Sequence, residues 1–366
     1  MQEKPRESVV LTPDLLWVES SAPQKNRTLL IQEDNRAFIH DQTPPGRFPS
    51  LHLPGMVLPG FVDCHVHLGL LPSSLAASLA ALKDAGIKAV RDAGDRHSRV
   101  LAEAVQETGS LPRVLPAGRA VTFPGGYGGF LGEPAANLQD GVELIARLAG
   151  EGSQVIKLVV TGLVDFCRES QVEGPYLVSR EIKTLTRAAH ARGLRVMAHA
   201  NTDRGVREAL AGDVDSIEHG YFMKEGTLMA LAEKGTAWVP TLSPLWYLRQ
   251  QEPDTEVGRQ IQRTLEEQKK ALKTAVELGV LVGVGTDLGA SGVLPEQAYC
   301  QELLLYREAG LSWEEVLQAA SFNGYKILGI EPWEGEGIST GMLVHLPRDL
   351  DGHFRAGTSG PVSLPF

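Results

Sequence analysis

Two textures of apolar and polar positions divide the chain. Over residues 8–42, short β-rich pieces (SVVL, LLWVE, TLLIQ and AFIH) are broken by Pro, Asn and Asp, which predicts a small β-structure rather than helices. The Pro-rich stretch TPPGRFPSLHLPGMVLP, ending at Pro59, reads as a boundary. Beyond it, short apolar or β-branched runs alternate with longer amphipathic segments. The strand candidates are 60–67, 87–94, 113–122, 154–162, 194–201, 215–220, 236–242 and 281–287. Helix candidates include 73–85, 139–151, 179–192 and 255–278, and several open on Ser, Thr or Asp as an N-cap requires. The helical candidates before Gly86, Gly193, Gly235 and Gly279 stop where a left-handed C-cap is needed.

Eight strands alternating with helices is the (β/α)₈ count. An open doubly wound sheet competes, but no GxGxxG turn follows any strand. Two further helices, 296–310 and 312–327, follow the eighth strand, and GMLVHLP at 341–347 can return to the N-terminal β-structure. The expected fold is therefore α/β: a (β/α)₈ TIM-like barrel over 55–334, with a small β-sandwich-like domain built from 1–54 and 335–366.

Composition narrows the class of partner. The 366 residues carry 35 Lys and Arg against 45 Asp and Glu, a net charge of −10, with no basic run. Such a surface argues against nucleic acid and points to a small-molecule substrate. No stretch of about 18 uncharged apolar residues exists, so no membrane partner is expected. Three widely spaced cysteines, Cys64, Cys167 and Cys300, form no CxxC pair and suit a reducing, cytoplasmic setting. The apolar extra helices leave room for a homo-oligomer.

The chemistry gathers at strand ends. His65 and His67 are two apart on one strand, so both imidazoles share a face. His199, His219 and Asp287 end the fifth, sixth and eighth strands, and Lys157 sits inside the apolar run VIKLVV. Taken singly, each has an ordinary explanation: a core histidine at 199, a turn residue paired with Glu218 at 219, a turn cap at 287, a snorkelling lysine at 157. Taken together, they occupy the carboxyl ends of barrel strands, where barrel active sites collect. Neutral imidazoles and a carboxylate suit zinc, and also manganese, iron or cobalt. A lysine ammonium, with a pKa of about 10.4, offers no lone pair at neutral pH. Lys157 ligates only after reaction with carbon dioxide, as an N-carboxylated anion.

The motifs LPGFVDCHVH, VIKLVVTG, VMAHAN, DSIEHG, VPTL and GVGTD, in that order, with AASFNGYKILGI after them, resemble the amidohydrolase superfamily in its imidazolonepropionase-like and Xaa-Pro dipeptidase-like branch. The resemblance runs from about residue 55 to the end. It implies two divalent metal ions, one on His65, His67 and Asp287 and one on His199 and His219, bridged by carboxylated Lys157 and a hydroxide. It implies hydrolysis of an amide-type C–N bond in a dipeptide, N-acyl amino acid or cyclic amide, with Asp287 as proton shuttle. Two positions depart from the branch. Where its dipeptidase-like members read GGHG after the third strand, Gly125–Gly128 read GGYG, and the turn after the fourth strand reads Thr161-Gly162-Leu163 rather than TGG.

Tyr127, Arg168 and Tyr221 fall in loops on the catalytic face and are the candidate substrate contacts, with an arginine suited to a carboxylate. Two other readings use the same residues. A mononuclear cyclic-amide hydrolase or deaminase would leave Lys157 unmodified, but the deaminase HxxE pattern needs Glu at position 202, which is Thr. A catalytically inactive scaffold would tend to have lost ligands, and none is missing.

Overall fold

Whether the predicted strands assemble depends on where their backbone hydrogen bonds go. The computed structural model describes residues 8–18, 22–44, 46, 48–104, 112–289, 295–332 and 337–355. In chain order the strands are β1 (Val9–Leu16), β2 (Thr28–Ile31), β3 (Arg36–His40), β4 (Ser50–Pro59), β5 (Phe61–Val66), β6 (Ile87–Asp92), β7 (Arg113–Pro116), β8 (Ala120–Thr122) and β9 (Gly132–Pro134). They continue with β10 (Val155–Val159), β11 (Val164–Asp165), β12 (Gln171–Val172), β13 (Arg195–Ala200), β14 (Ser216–His219), β15 (Ala237–Val239), β16 (Ile338–Ser339) and β17 (Leu343–Leu346).

The first four strands and the last two form one six-stranded sheet in the order β16-β3-β2-β1-β4-β17. Leu11, Leu16, Leu29, Val57, Ile338 and Leu343 make its core. The Pro-rich stretch read as a boundary supplies β4, a ten-residue strand parallel to β1 and antiparallel to β17. Its prolines are tolerated because Pro54 lies at a register irregularity opposite Pro13–Leu15. Next to it, Gly55 has φ +119, and a Cβ there would stand 2.1 Å from the Leu346 carbonyl oxygen. Only glycine permits that approach.

The remaining strands run parallel, apart from the short hairpin β11–β12. β5-β6-β7 form one set and β15-β14-β13-β10-β8-β9 another. β5 and β10 are buried at every residue, as strands covered on both faces must be. Two links join the sets. Gln154 N donates to Pro116 O at 2.9 Å, between β7 and the start of β10. On the other side, segment 281–288 is bonded to both neighbours: Trp238 N to Leu281 O at 2.9 Å, Gly283 N to Trp238 O at 3.0 Å, Cys64 N to Val284 O at 2.8 Å and Asp287 N to His65 O at 2.8 Å.

Three expectations need correction in detail. Segment 281–287 holds the place of an eighth strand but has only isolated bridges at Val282 and Leu288. Its glycines explain its narrowness: a Cβ on Gly285 would meet Val239 at 2.3 Å and His65 Cβ at 2.9 Å. The third strand is divided at Gly118, φ +74, so that β7 pairs with β6 while β8 pairs with β10. The last helix is interrupted by a π-helical segment, Ala319–Asn323, where Tyr299 OH donates to Ala320 O. The glycines expected as C-caps, at 86, 193, 235 and 279, all have positive φ.

Candidate metal centre

Parallel strands deliver their carboxyl ends to one face, and the six ionisable residues meet there. Nε2 of His65 and Nε2 of His67 lie 3.5 and 3.4 Å from Asp287 Oδ1. The ligand atoms of these three residues all lie within 4.8 Å of one another. Lys157 Nζ is 3.2 Å from His65 Nε2. His199 and His219 complete the group, their ring centroids 4.5 Å apart and that of His219 5.0 Å from His65. Lys157 neither reaches solvent nor pairs with a carboxylate oxygen; it is 1% exposed.

Each imidazole has one ring nitrogen engaged by a fixed partner. His65 Nδ1 lies 2.7 Å from Glu218 Oε2, His67 Nδ1 donates to Gly94 O at 2.9 Å, His199 Nε2 donates to Gly162 O at 3.2 Å, and His219 Nδ1 lies 2.7 Å from Thr241 Oγ1. When the engaged nitrogen carries the proton, the other keeps its lone pair, which is how outer partners orient metal-binding histidines. Glu218 therefore serves His65 rather than its neighbour His219. It is itself held by Arg91 Nη2 at 2.8 Å and by Ser216 Oγ at 2.5 Å. Asp63 takes Thr286 Oγ1 at 2.6 Å and the His65 amide at 3.2 Å, tying β5 to the segment that carries Asp287. Sequence reading missed Arg91, Asp63 and Thr241 as parts of the site; their only signal was a polar residue inside or at the end of an apolar strand.

The electrostatics suit divalent cations. Burial holds His67 down to about 4, His199 down to about 3, and His65 and His219 well below the ordinary imidazole value, with Lys157 or a neighbouring imidazole adding to the effect. All four are thus neutral at pH 7, the ligating form. Burial also lowers Lys157 to about 8, although Glu218 and Asp287 favour its charged form. Asp287 is raised to about 6 by burial, with Lys157 pulling it back. Four fixed, neutral imidazoles around a carboxyl and an amine are a donor set that fits such ions.

A cavity of about 320 Å³ opens beside His199, lined by Tyr127, Gly162, Leu163, Arg168, Glu173 and Tyr176 among others. The Tyr127 ring lies 5.1 Å from that of His199. Arg168 stands at the rim, exposed and 3.5 Å from Asp165. Tyr221 is buried, and its hydroxyl donates to Thr241 O at 3.0 Å, so it braces the wall behind His219. Cys167 is exposed, whereas Cys64 and Cys300 are buried. Among the described residues no helix is long and apolar enough to cross a membrane.

The model of the Amidohydrolase family matches residues 56–333, which include all six converging side chains. The chain belongs to the amidohydrolase family. Membership supports a metal-dependent hydrolase acting on C–N bonds. Ochratoxinase of Aspergillus niger is 24% identical over 368 residues, covering 86% of this chain and 75% of its own. The uncharacterized protein Mb2939c of Mycobacterium bovis is 29% identical over 294 residues, 75% of each chain. A solved structure of a Xaa-Pro dipeptidase with bound methionine in the active site superposes with a TM-score of 0.78 at 21% identity, covering 97% of both chains. It shares the fold.

In this amidohydrolase, three residues at or near these strand ends carry backbone strain. His219, Thr241 and Asp287 all have positive φ, at 66°, 47° and 52°, a conformation costing about 1–3 kcal/mol each for a non-glycine residue. Neighbours hold it in place: Gln268 Nε2 and Trp238 Nε1 both donate to the His219 carbonyl, at 2.6 and 3.0 Å. Gly285 gives a direct test of how tightly β5 is placed. Gly285→Ala should push His65 off Asp287 and weaken divalent-metal binding by about 10-fold or more, measured by competition with a chromophoric chelator. Unchanged affinity would mean that β5 can shift without disturbing the ligands.

Proposed function

We propose that this amidohydrolase cleaves an amide-type C–N bond of a dipeptide, N-acyl amino acid or cyclic amide at a two-cation centre. His65, His67 and Asp287 would hold one ion and His199 and His219 the other, and Lys157, once carboxylated by carbon dioxide, would supply a further anionic ligand. The observation that carries this reading is the set of four imidazoles, each with one nitrogen engaged, around Lys157 and Asp287. When bound, the cations, with zinc the favoured identity, supply Lewis acidity, which makes a water nucleophilic near pH 7 and polarises the scissile carbonyl.

The chain's own groups do the rest. Asp287 takes the proton released by the attacking water and delivers it to the leaving nitrogen. The cavity beside His199 receives the substrate, with Tyr127 as the aromatic wall nearest the centre and Arg168 at the rim. Tyr221 steadies Thr241 and through it His219. We also propose that residues 55–334 form a closed (β/α)₈ barrel, supported by the bonds of segment 281–288 to both β5 and β15. The described parts of residues 1–54 and 335–366, together with the rest of β4 to Pro59, form the smaller β domain.

A single-cation reading, with Lys157 unmodified, draws on the His65–His67–Asp287 group, which alone offers three ligands. Metal counting by mass spectrometry, on protein prepared with bicarbonate, separates the two. Two ions per chain are expected, and one would move the proposal to the mononuclear form. The metal-loaded enzyme should hydrolyse members of a panel of dipeptides, N-acyl amino acids and cyclic amides and lose that activity on chelation. Tyr127→His should change the ranking of substrates while the metal content stays constant. An identical profile would remove this loop from the specificity element.

A further inference from the structure

Glu302 lies on the helix Pro295–Glu308, outside every motif discussed so far, and is fully buried at 0% exposure. Its Oε1 accepts the Leu242 amide at 2.8 Å and its Oε2 accepts the Ser243 amide at 2.6 Å. These amides open the helix Ser243–Gln251, which has no capping side chain of its own. A buried carboxylate at a helix N-terminus satisfies orphan donors and meets the positive end of the helix dipole.

Capping alone does not account for which turn is held. The residue before it, Thr241, has φ +47 and presents Oγ1 to His219 Nδ1 at 2.7 Å. The Thr241 carbonyl accepts the Tyr221 hydroxyl at 3.0 Å. Ser243 Oγ donates at 3.2 Å to the carbonyl of Thr286, the residue before Asp287. One short turn therefore touches the outer nitrogen of His219 and the backbone leading into Asp287, and Glu302 is the group that grips that turn from outside.

We propose that Glu302 is a positioning residue for the metal centre: by clamping the Thr241–Ser243 turn it fixes the ring orientation and tautomer of His219, and so governs the affinity of the cation on the His199–His219 side. The inference rests on the metal-hydrolase reading above. Glu302→Gln replaces one acceptor with an N–H₂ that faces a backbone N–H, so the grip is lost while volume is kept. Glu302→Asp keeps the carboxyl group but falls one methylene short, and carries the same expectation in milder form if the glutamine variant does not fold.

The test is equilibrium dialysis of zinc against full-length wild type, the Glu302 variants and Leu245→Ala. Leu245 is buried in the same helix and its side chain carries no hydrogen-bonding atom, so it reports a general loss of stability. Glu302→Gln should weaken one of the two zinc sites, the one on the His199–His219 side, about 10–100-fold and leave the other unchanged, with both unchanged in Leu245→Ala. Equal weakening of both ions, or no weakening, in a variant destabilised like Leu245→Ala would reduce Glu302 to a helix cap. Nitrogen–proton NMR of the histidine rings in metal-free protein gives an independent reading. Wild-type His219 should be Nδ1-protonated, and Glu302→Gln should show mixed tautomers. If the wild type binds no zinc, the hydrolase reading falls, and the tautomer result still decides the role of Glu302. An unaltered His219 tautomer in the variant would overturn it.

Discussion

Asp287→Asn should keep most of the bound metal and lose about 10²–10⁴-fold in kcat, the range expected when a positioned acid–base group is removed. The amide keeps an oxygen at the place of Oδ1, 3.4–3.5 Å from the two histidine nitrogens, so ligation survives in weakened form. It has no basic oxygen to take a proton from water. Asparagine also tolerates the φ of +52 at this position better than most residues, so the fold should be undisturbed. Metal analysis, thermal unfolding and steady-state kinetics on one preparation separate these effects. Activity equal to wild type would remove Asp287 from proton transfer.

If the centre holds two ions as proposed, Lys157→Met should reduce the metal content to one ion per chain or none, with turnover lost in parallel. Methionine matches the stem in length and suits a site that is 1% exposed, so the folded state should survive. Deleting a buried amine without a carboxylate partner is itself close to neutral or stabilising. What disappears is the anion that carbon dioxide would build on Nζ. Lys157→Ala, which leaves a void, should regain part of its metal and activity in acetate or propionate. Omitting bicarbonate from the wild-type preparation should produce a milder form of the same deficit. Two ions retained in Lys157→Met would show that the histidines and Asp287 suffice.

These side chains were legible before the structure because strand periodicity and the strand-end rule of barrels act on short stretches of sequence. His65 and His67 share a face because the strand period is two, and Lys157 stands out because charge is rare within an apolar run. Their partners were not legible. Glu218 next to His219 suggested a local pair, yet His219 leaves regular strand geometry at φ +66 and its Nδ1 is engaged by Thr241. Glu218 is held instead by His65 of β5 and Arg91 of β6. Thr241 and Glu302 matter only through a turn whose shape depends on positive φ at a β-branched residue, which no propensity anticipates. β4 was hidden for a different reason: prolines forbid a regular strand, and only the irregularity opposite Pro13–Leu15 lets one form.

The sheet that gathers both ends of the chain has a consequence for how the protein is made. β1 to β4 are made before every other described strand, but the edge of β4 is covered only by β17, and Arg348 grips Asp14 across a sequence separation of 334 residues. Throughout synthesis of everything in between, β4 presents a long unpaired edge with Leu53, Met56, Val57 and Leu58 along it, a surface open to pairing with another nascent chain. The exposed histidine at 52 and the kink at Pro54–Gly55 blunt that edge during the wait. A ribosome stalled before residue 343 would hold a chain whose parallel strands are all made and whose first-made sheet is still seeking its last strand.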